Sequence, residues 1–144
     1  MDWSMDWYRW SIMQQYCPSG WHLSQVNPGD FISLNVSASS TTSGRIDIAN
    51  LDQAYSTTIT LSNGPTLCRV DAEWIVERPN SNIGLLPFAR FDDIWFQSTV
   101  AKRSGGTDLG IDSAAMVYLG STASNALCLA AEYDNADFYT WSQN

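Results

Sequence analysis

The sequence predicts an all-β fold of antiparallel strands, arranged as a sandwich or a barrel. Short segments in which apolar and polar residues alternate recur along the whole 144-residue chain. Clusters of Gly, Pro, Asn and Ser separate them at the spacing typical of such folds, and no segment has the period of an amphipathic helix. Alternation arises because a strand of an antiparallel sheet places one face in the core and the other in water.

The predicted strands follow in chain order. In the first, Trp3, Met5 and Trp7 lie opposite acidic residues, and in the second, Ile32 and Leu34 lie opposite polar ones. Turn signals such as Asn-Pro-Gly-Asp, Asn-Gly-Pro and Ser-Gly-Gly fall between strands. The full set is MDWSMDWY (1–8), FISLNVSAS (31–39), GRIDIANL (44–51), YSTTITLS (55–62), CRVDAEWIVERP (68–79), FDDIWFQST (91–99), SAAMVYLG (113–120), ALCLAAEY (126–133) and DFYTWSQ (137–143).

The segment 68–79 is the most highly charged of these predicted strands. Alternation places Cys68 and other apolar residues on one face, and Asp71, Glu73 and Glu77 on the opposite one. Glu73 and Glu77 are four positions apart, which is about 13 Å along an extended chain. Because this distance is too long for two carboxylates to share a proton, any catalytic partner has to come from another strand. The alternative interpretation is an ordinary solvated strand face.

Composition predicts one domain, residues 1–144, and excludes some classes of binding partner. An apolar content of 44% suffices for one hydrophobic core. The net charge of −8, with only 7 scattered Lys and Arg residues, argues against binding to nucleic acid or anionic membranes. No apolar stretch is long enough to span a membrane. The N-terminal segment has acidic residues where a secretion signal needs an apolar run, so no such signal is expected.

Most catalytic chemistries are excluded by residue content. The single histidine, His22, has no acid close in sequence to orient it, which disfavours a nucleophile–histidine system. Cys17, Cys68 and Cys128 lack the spacing of a zinc site, so no metal or other cofactor is expected. Carboxylate chemistry remains, as in glycosidases and acid peptidases. The 7 tryptophans fit either a core or the rim of a peptide- or sugar-binding groove.

Several sequence blocks together resemble the fungal glutamic peptidases, the eqolisins (peptidase A4/G1). LCRVDAEWIVERP is similar to the strand motif of that family, in which an alanine–glutamate–aromatic core is followed by a second glutamate. Further similar blocks are WYRW (7–10), PGDFISLNVSASSTTSG (28–44), IANL (48–51), LLPFARF (85–91) and DFYTW (137–141). The AEWIVE and PFARF blocks are the most specific.

The resemblance implies a two-sheet, antiparallel, concanavalin A-like sandwich with a peptide-binding groove. The family's catalytic glutamate matches Glu77, which is expected to activate a water molecule as general acid/base and to cleave polypeptides in acid. Trp7, Arg9 and Glu73 are expected to contact the substrate, although Arg9 stands where the family has an acidic residue. No cofactor is implied, and an extracellular monomer is expected.

The chain departs from the family pattern in one important respect. The family pairs its glutamate with a glutamine located in an N-terminal portion that this chain lacks, and none of Gln14, Gln15, Gln25 or Gln53 matches it. A cysteine in that portion often pairs in relatives with the one matching Cys68. Weak or absent activity is therefore expected. The alternative function is a non-catalytic sandwich that binds peptides or glycans, and a glycosidase is disfavoured.

Overall fold

The structure is a computed structural model, and it describes residues 26–78, 80–82 and 84–143. The chain divides into two compact units, Met1–Glu73 and Trp74–Asn144. The predicted single domain over 1–144 stays a prediction. None of the helical structure in the described part of the chain has the length and apolar character that a bilayer crossing requires.

The first unit contains an antiparallel sheet of β1 (Ile32–Ala38), β2 (Gly44–Asn50) and β3 (Tyr55–Leu61), in the order β1-β2-β3. Ile46 and Ile59 form its buried core, and half-buried aliphatic side chains from all three strands pack against them. These are the residues that alternation assigns to the apolar face. The predicted second, third and fourth strands are confirmed.

The opposite face of this sheet carries a cross-strand polar cluster. Asp47 of β2 lies between Asn35 of β1 and Thr58 of β3 in the strand register. Arg45 forms an ion pair with Asp47 at 2.7 Å, and the hydroxyl of Thr58 donates to the same carboxylate. These hydrogen bonds, from Arg45 first and Thr58 second, hold the pKa of Asp47 below its ordinary value.

The second unit begins with a short hairpin of β4 (Asn80–Ser81) and β5 (Gly84–Leu85). Its main sheet contains β6 (Ile94–Phe96), β7 (Cys128–Glu132) and β8 (Phe138–Ser142), in the order β6-β8-β7, with antiparallel pairing. A 3₁₀ turn, Ala123–Asn125, precedes β7. On one face of the sheet, the rings of Phe96 and Phe138 stack with centroids 4.5 Å apart.

Two predicted strands are absent from the described residues. Residues 68–78 form no strand, and residues 113–120 contribute only an isolated bridge between Leu119 and Cys128. Arg69 has φ of 58°, which interrupts an extended chain, and Val70 is 62% exposed. The expectation that Cys68 and Val70 face a core is therefore wrong. The predicted strand over 1–8 lies outside the described residues.

Candidate active site

Glu77 lies in an irregular segment that leads into β4. Its side chain is exposed, whereas Val76 before it and Arg78 after it are half-buried. The Nε atom of Arg78 donates a hydrogen bond to the main-chain oxygen of Leu86, just beyond β5. This bond fixes the chain immediately after Glu77 across the β4–β5 hairpin, while the carboxylate projects into solvent.

The carboxylate of Glu77 has no hydrogen-bond or ion-pair partner among the described residues. Both of its oxygens can therefore accept a proton from water. A general base needs this access, because it has to lie within hydrogen-bond reach of the proton that it removes. Within the described ranges, no group of three or more His, Cys, Asp or Glu residues is arranged to hold a metal ion.

The other site residues predicted from the sequence are placed only in part. The division between the two units falls after Glu73, so that Glu73 belongs to the first unit and Glu77 to the second. Glu73 is half-buried and Asp71 is exposed. Trp7 and Arg9 lie outside the described residues. The grouping of Trp7, Arg9, Glu73 and Glu77 around one groove stays a prediction.

The structure also reveals an aromatic surface that the sequence reasoning missed. Trp95, Tyr133, Tyr139 and Trp141 contact one another on one face of the β6-β8-β7 sheet. The signal was present in the alternation of DFYTWS, which places Tyr139 and Trp141 on the face opposite Phe138. Counting tryptophans could not separate this surface from the core, because alternation does not show which face of a strand is covered.

Comparison with known proteins gives one family throughout. The family model described as "Peptidase A4 family" matches residues 4–141. Aspergillopepsin-2 of Aspergillus niger is 35% identical over 113 residues, which cover 77% of this chain and 39% of that protein. Scytalidopepsin B of Scytalidium lignicola is 32% identical over 116 residues, covering 75% of this chain and 44% of that protein. The chain thus spans about two-fifths of the length of these curated relatives.

Solved structures agree with this result. Aspergilloglutamic peptidase from Aspergillus niger superposes with a TM-score of 0.72 at 29% identity, covering 81% of this chain and 68% of that one. SCP-B, a member of the eqolisin family in a complex with the tripeptide Ala-Ile-His, gives a TM-score of 0.70 at 24% identity, covering 81% and 62%. The predicted all-β, antiparallel sandwich fold is confirmed.

Proposed function

Because the chain belongs to the peptidase A4 family, we propose that it is an acid endopeptidase that cleaves polypeptides with Glu77 as general acid/base. The observation that carries the proposal is the family match over residues 4–141, which includes the AEWIVE block ending at Glu77. The exposed and unpartnered carboxylate of Glu77 supports it, because that group is accessible to both water and a peptide.

In the proposed reaction, Glu77 removes a proton from a water molecule as the water oxygen bonds to the scissile carbonyl carbon. The resulting tetrahedral intermediate breaks its C–N bond, and Glu77 returns the proton to the departing amine. No covalent intermediate with the enzyme forms. One carboxylate has to act first as a base and then as an acid, so this cycle works best at acidic pH.

Substrate contacts are part of the same proposal. We assign Trp7, Arg9 and Glu73 to the lining of the peptide groove, in line with the family resemblance. Polypeptide binding by a relative is supported by the Ala-Ile-His complex of SCP-B. We further propose an extracellular, monomeric protein. A polypeptide substrate suits the acidic, lysine-poor surface better than nucleic acid does.

The activity proposed for this sequence on its own is low. The resemblance implies a glutamine that stabilises the oxyanion of the intermediate, and no glutamine in this sequence matches it. Removal of one such donor lowers the rate by about 10²–10³ in enzymes where it has been measured. The unmatched glutamine also favours the second candidate function, a sandwich that binds peptides without cleaving them.

Cleavage of an acid-denatured protein between about pH 2 and pH 5 tests the assignment of Glu77, since that range spans the titration of ordinary carboxylates. Glu77→Gln should abolish the cleavage seen with the parent chain, and the matched control Asp71→Asn should retain it. Cleavage that survives Glu77→Gln would show that Glu77 is not the general base. Absence of cleavage at every pH, with peptide binding retained, would favour the non-catalytic function.

A further inference from the structure

The four aromatic side chains on the β6-β8-β7 sheet form a continuous surface, here called the aromatic row. Trp95 contacts Tyr133 and Tyr139 with ring centroids 5.4 and 5.0 Å apart, and Tyr139 contacts Trp141 at 5.5 Å. Tyr133 is 68% exposed and Trp95 is 45% exposed. Four large rings joined by three successive contacts, two of them exposed and two half-buried, are more than the scattered single apolar residues of an ordinary surface.

Ring orientation restricts what the aromatic row can bind. The planes of Trp95 and Tyr139 differ by 28°, and those of Tyr139 and Trp141 by 31°. At these separations such rings lie partly face against face, so much of their face area is already covered. A run of sugar rings needs several open and coplanar ring faces, which this surface lacks. Tyr133 stands at 75° to Trp95 and is the ring most open to solvent.

The turn that carries Tyr133 is held in place by its own hydrogen bonds. The amide of Tyr133 donates to the main-chain oxygen of Asp137 at 2.9 Å. The Oδ1 atom of Asp134 accepts the amides of Ala136 and Asp137, both at 2.8 Å. The amide of Ile111 donates to the main-chain oxygen of Asn135 at 3.0 Å. Because the turn is ordered before any ligand arrives, binding at Tyr133 has little backbone entropy to overcome.

The charge beside the aromatic row is negative. Asp134 directly follows Tyr133 in the sequence and is exposed. Glu132 pairs with Phe138 in the strand register, so its side chain lies on the other face of the sheet. The sequence from 104 to 144, which includes β7, β8 and their turn, contains no Lys or Arg. A complementary ligand is therefore cationic. It should also carry an apolar stem that can lie along the ring edges, with the charged head on the face of Tyr133.

We propose that the aromatic row and the carboxylate of Asp134 bind polypeptide segments that carry Lys or Arg side chains. These side chains combine an aliphatic stem with a cationic head, and one accessible ring face suffices for each of them. The binding goes beyond peptide-bond hydrolysis and does not depend on Glu77. It gives this acidic chain a surface that selects basic polypeptides.

Binding is measured in the Glu77→Gln background, so that cleavage cannot alter the probe. The probe is a dye-labelled, end-blocked peptide of alternating Arg and Leu. Its binding is measured by fluorescence anisotropy near neutral pH at low ionic strength. The matched probe replaces each Arg by citrulline, which has nearly the same shape without the charge. A neutral chitin hexasaccharide, used as an unlabelled competitor, provides the glycan comparison. The Arg peptide should bind about twofold to fivefold more tightly than the citrulline peptide, the effect expected of an exposed cation–π contact.

Three variants localise the binding. Tyr133→Thr should weaken binding of the Arg peptide about twofold to fivefold, since the cation–π contact is lost. Asp134→Asn should weaken it as well, although the asparagine Oδ1 atom can still cap the turn. Tyr118→Thr is the control, because Tyr118 is exposed, at 41%, and does not belong to the aromatic row.

Thermal unfolding of each variant establishes that it is folded before its affinity is compared. Equal affinity for the Arg and citrulline peptides would overturn the proposal, as would unchanged affinity in folded Tyr133→Thr. Displacement of the Arg peptide by the hexasaccharide at lower concentrations than by unlabelled Arg peptide would assign the surface to glycans instead.

Discussion

The side-chain amide of Asn50 donates a hydrogen bond to the carboxylate of Asp30 at 2.7 Å, joining the end of β2 to the turn before β1. Asn50 is 1% exposed. Its Oδ1 atom accepts the amides of Asp52 and Gln53, each at 3.1 Å. The Oδ2 atom of Asp30 also accepts the amide of Asn27 at 2.8 Å. One buried amide thus holds two separate turns together.

Replacement of Asn50 by alanine should destabilise the protein. The change removes three hydrogen bonds, those from the amides of Asp52 and Gln53 and the one to the carboxylate of Asp30. Because water can reach the exposed residues Asp52 and Gln53, the net loss should be about 1–3 kcal/mol. Urea unfolding of Asn50→Ala should show a free energy of unfolding lower by about that amount. Ser33→Ala, on the exposed face of β1, is the control and should change it little. An unchanged urea midpoint for Asn50→Ala would show that the hydrogen bonds of Asn50 do not stabilise the protein.

Stability should fall in acid, in part through Asp30. The hydrogen bonds from Asn27 and then Asn50 lower the pKa of this carboxyl below its ordinary value. A carboxyl whose pKa is lower in the folded state contributes stability above its unfolded pKa and loses it as pH falls through the folded pKa. Thermal midpoints should therefore decrease below about pH 4, since unfolded aspartates titrate there.

The variant Asp30→Asn tests which group is responsible. Its side-chain oxygen can still accept both hydrogen bonds, but the position no longer titrates. The decline of its midpoint with acid should be shallower than in the parent chain, and Asp47, whose pKa is also lowered, should account for part of the remainder. If the thermal midpoints of the two proteins decline identically as the pH falls, Asp30 does not contribute to the loss of stability in acid.

Replacement of Ser142 by alanine should loosen the edge of the second-unit sheet. The hydroxyl of Ser142 accepts the amide of Phe91 at 3.0 Å and donates to the main-chain oxygen of Phe91 at 2.7 Å. It thereby substitutes for a strand pair just before β6. Loss of two such bonds should cost about 1–3 kcal/mol. Hydrogen exchange should show faster exchange at the Phe91 amide in Ser142→Ala, with Ser142→Thr largely restoring protection.

The two described cysteines should differ sharply in reactivity. Cys68 is exposed, whereas Cys128 is buried, and burial raises the pKa of the Cys128 thiol. Because the thiolate is the reactive form, brief iodoacetamide treatment of the folded protein should label Cys68 and spare Cys128 until denaturant is added. Peptide mapping by mass spectrometry identifies the labelled position. Early labelling of Cys128 would mean that β7 is open.

Alternation correctly predicted the strands that pair with a neighbouring strand, and it failed where the described chain provides no neighbouring strand. β1, β2 and β3 follow the predicted segments closely, since each can complete its backbone hydrogen bonds with a neighbour. The segment 68–78 alternates equally well, but alternation cannot reveal whether a neighbouring strand is available. The hairpin of β4 and β5 is not among the predicted strands, because its strands have only two residues each and show no alternation.

For the candidate site, too, alternation alone was not sufficient. Alternation placed Asp71, Glu73 and Glu77 on one face and could not choose among them; only the family motif selected Glu77. Asn50 could have been recognised earlier. It shares the apolar face of its strand with Ile46 and Ile48, and a polar residue in such a position has to find buried partners. The identity of those partners depends on turns that the sequence pattern does not specify.

The packing of Trp95 against Tyr139 gives the protein an internal optical reporter. Two aromatic chromophores 5.0 Å apart couple their transition dipoles, and tyrosine excitation transfers efficiently to tryptophan at this separation. The other tryptophans of the sequence contribute to the same spectral region, so the signal of this pair is obtained as a difference. The near-ultraviolet circular dichroism of this coupled pair will therefore follow the opening of the β6-β8-β7 sheet, and Trp95→Phe supplies the spectrum to subtract.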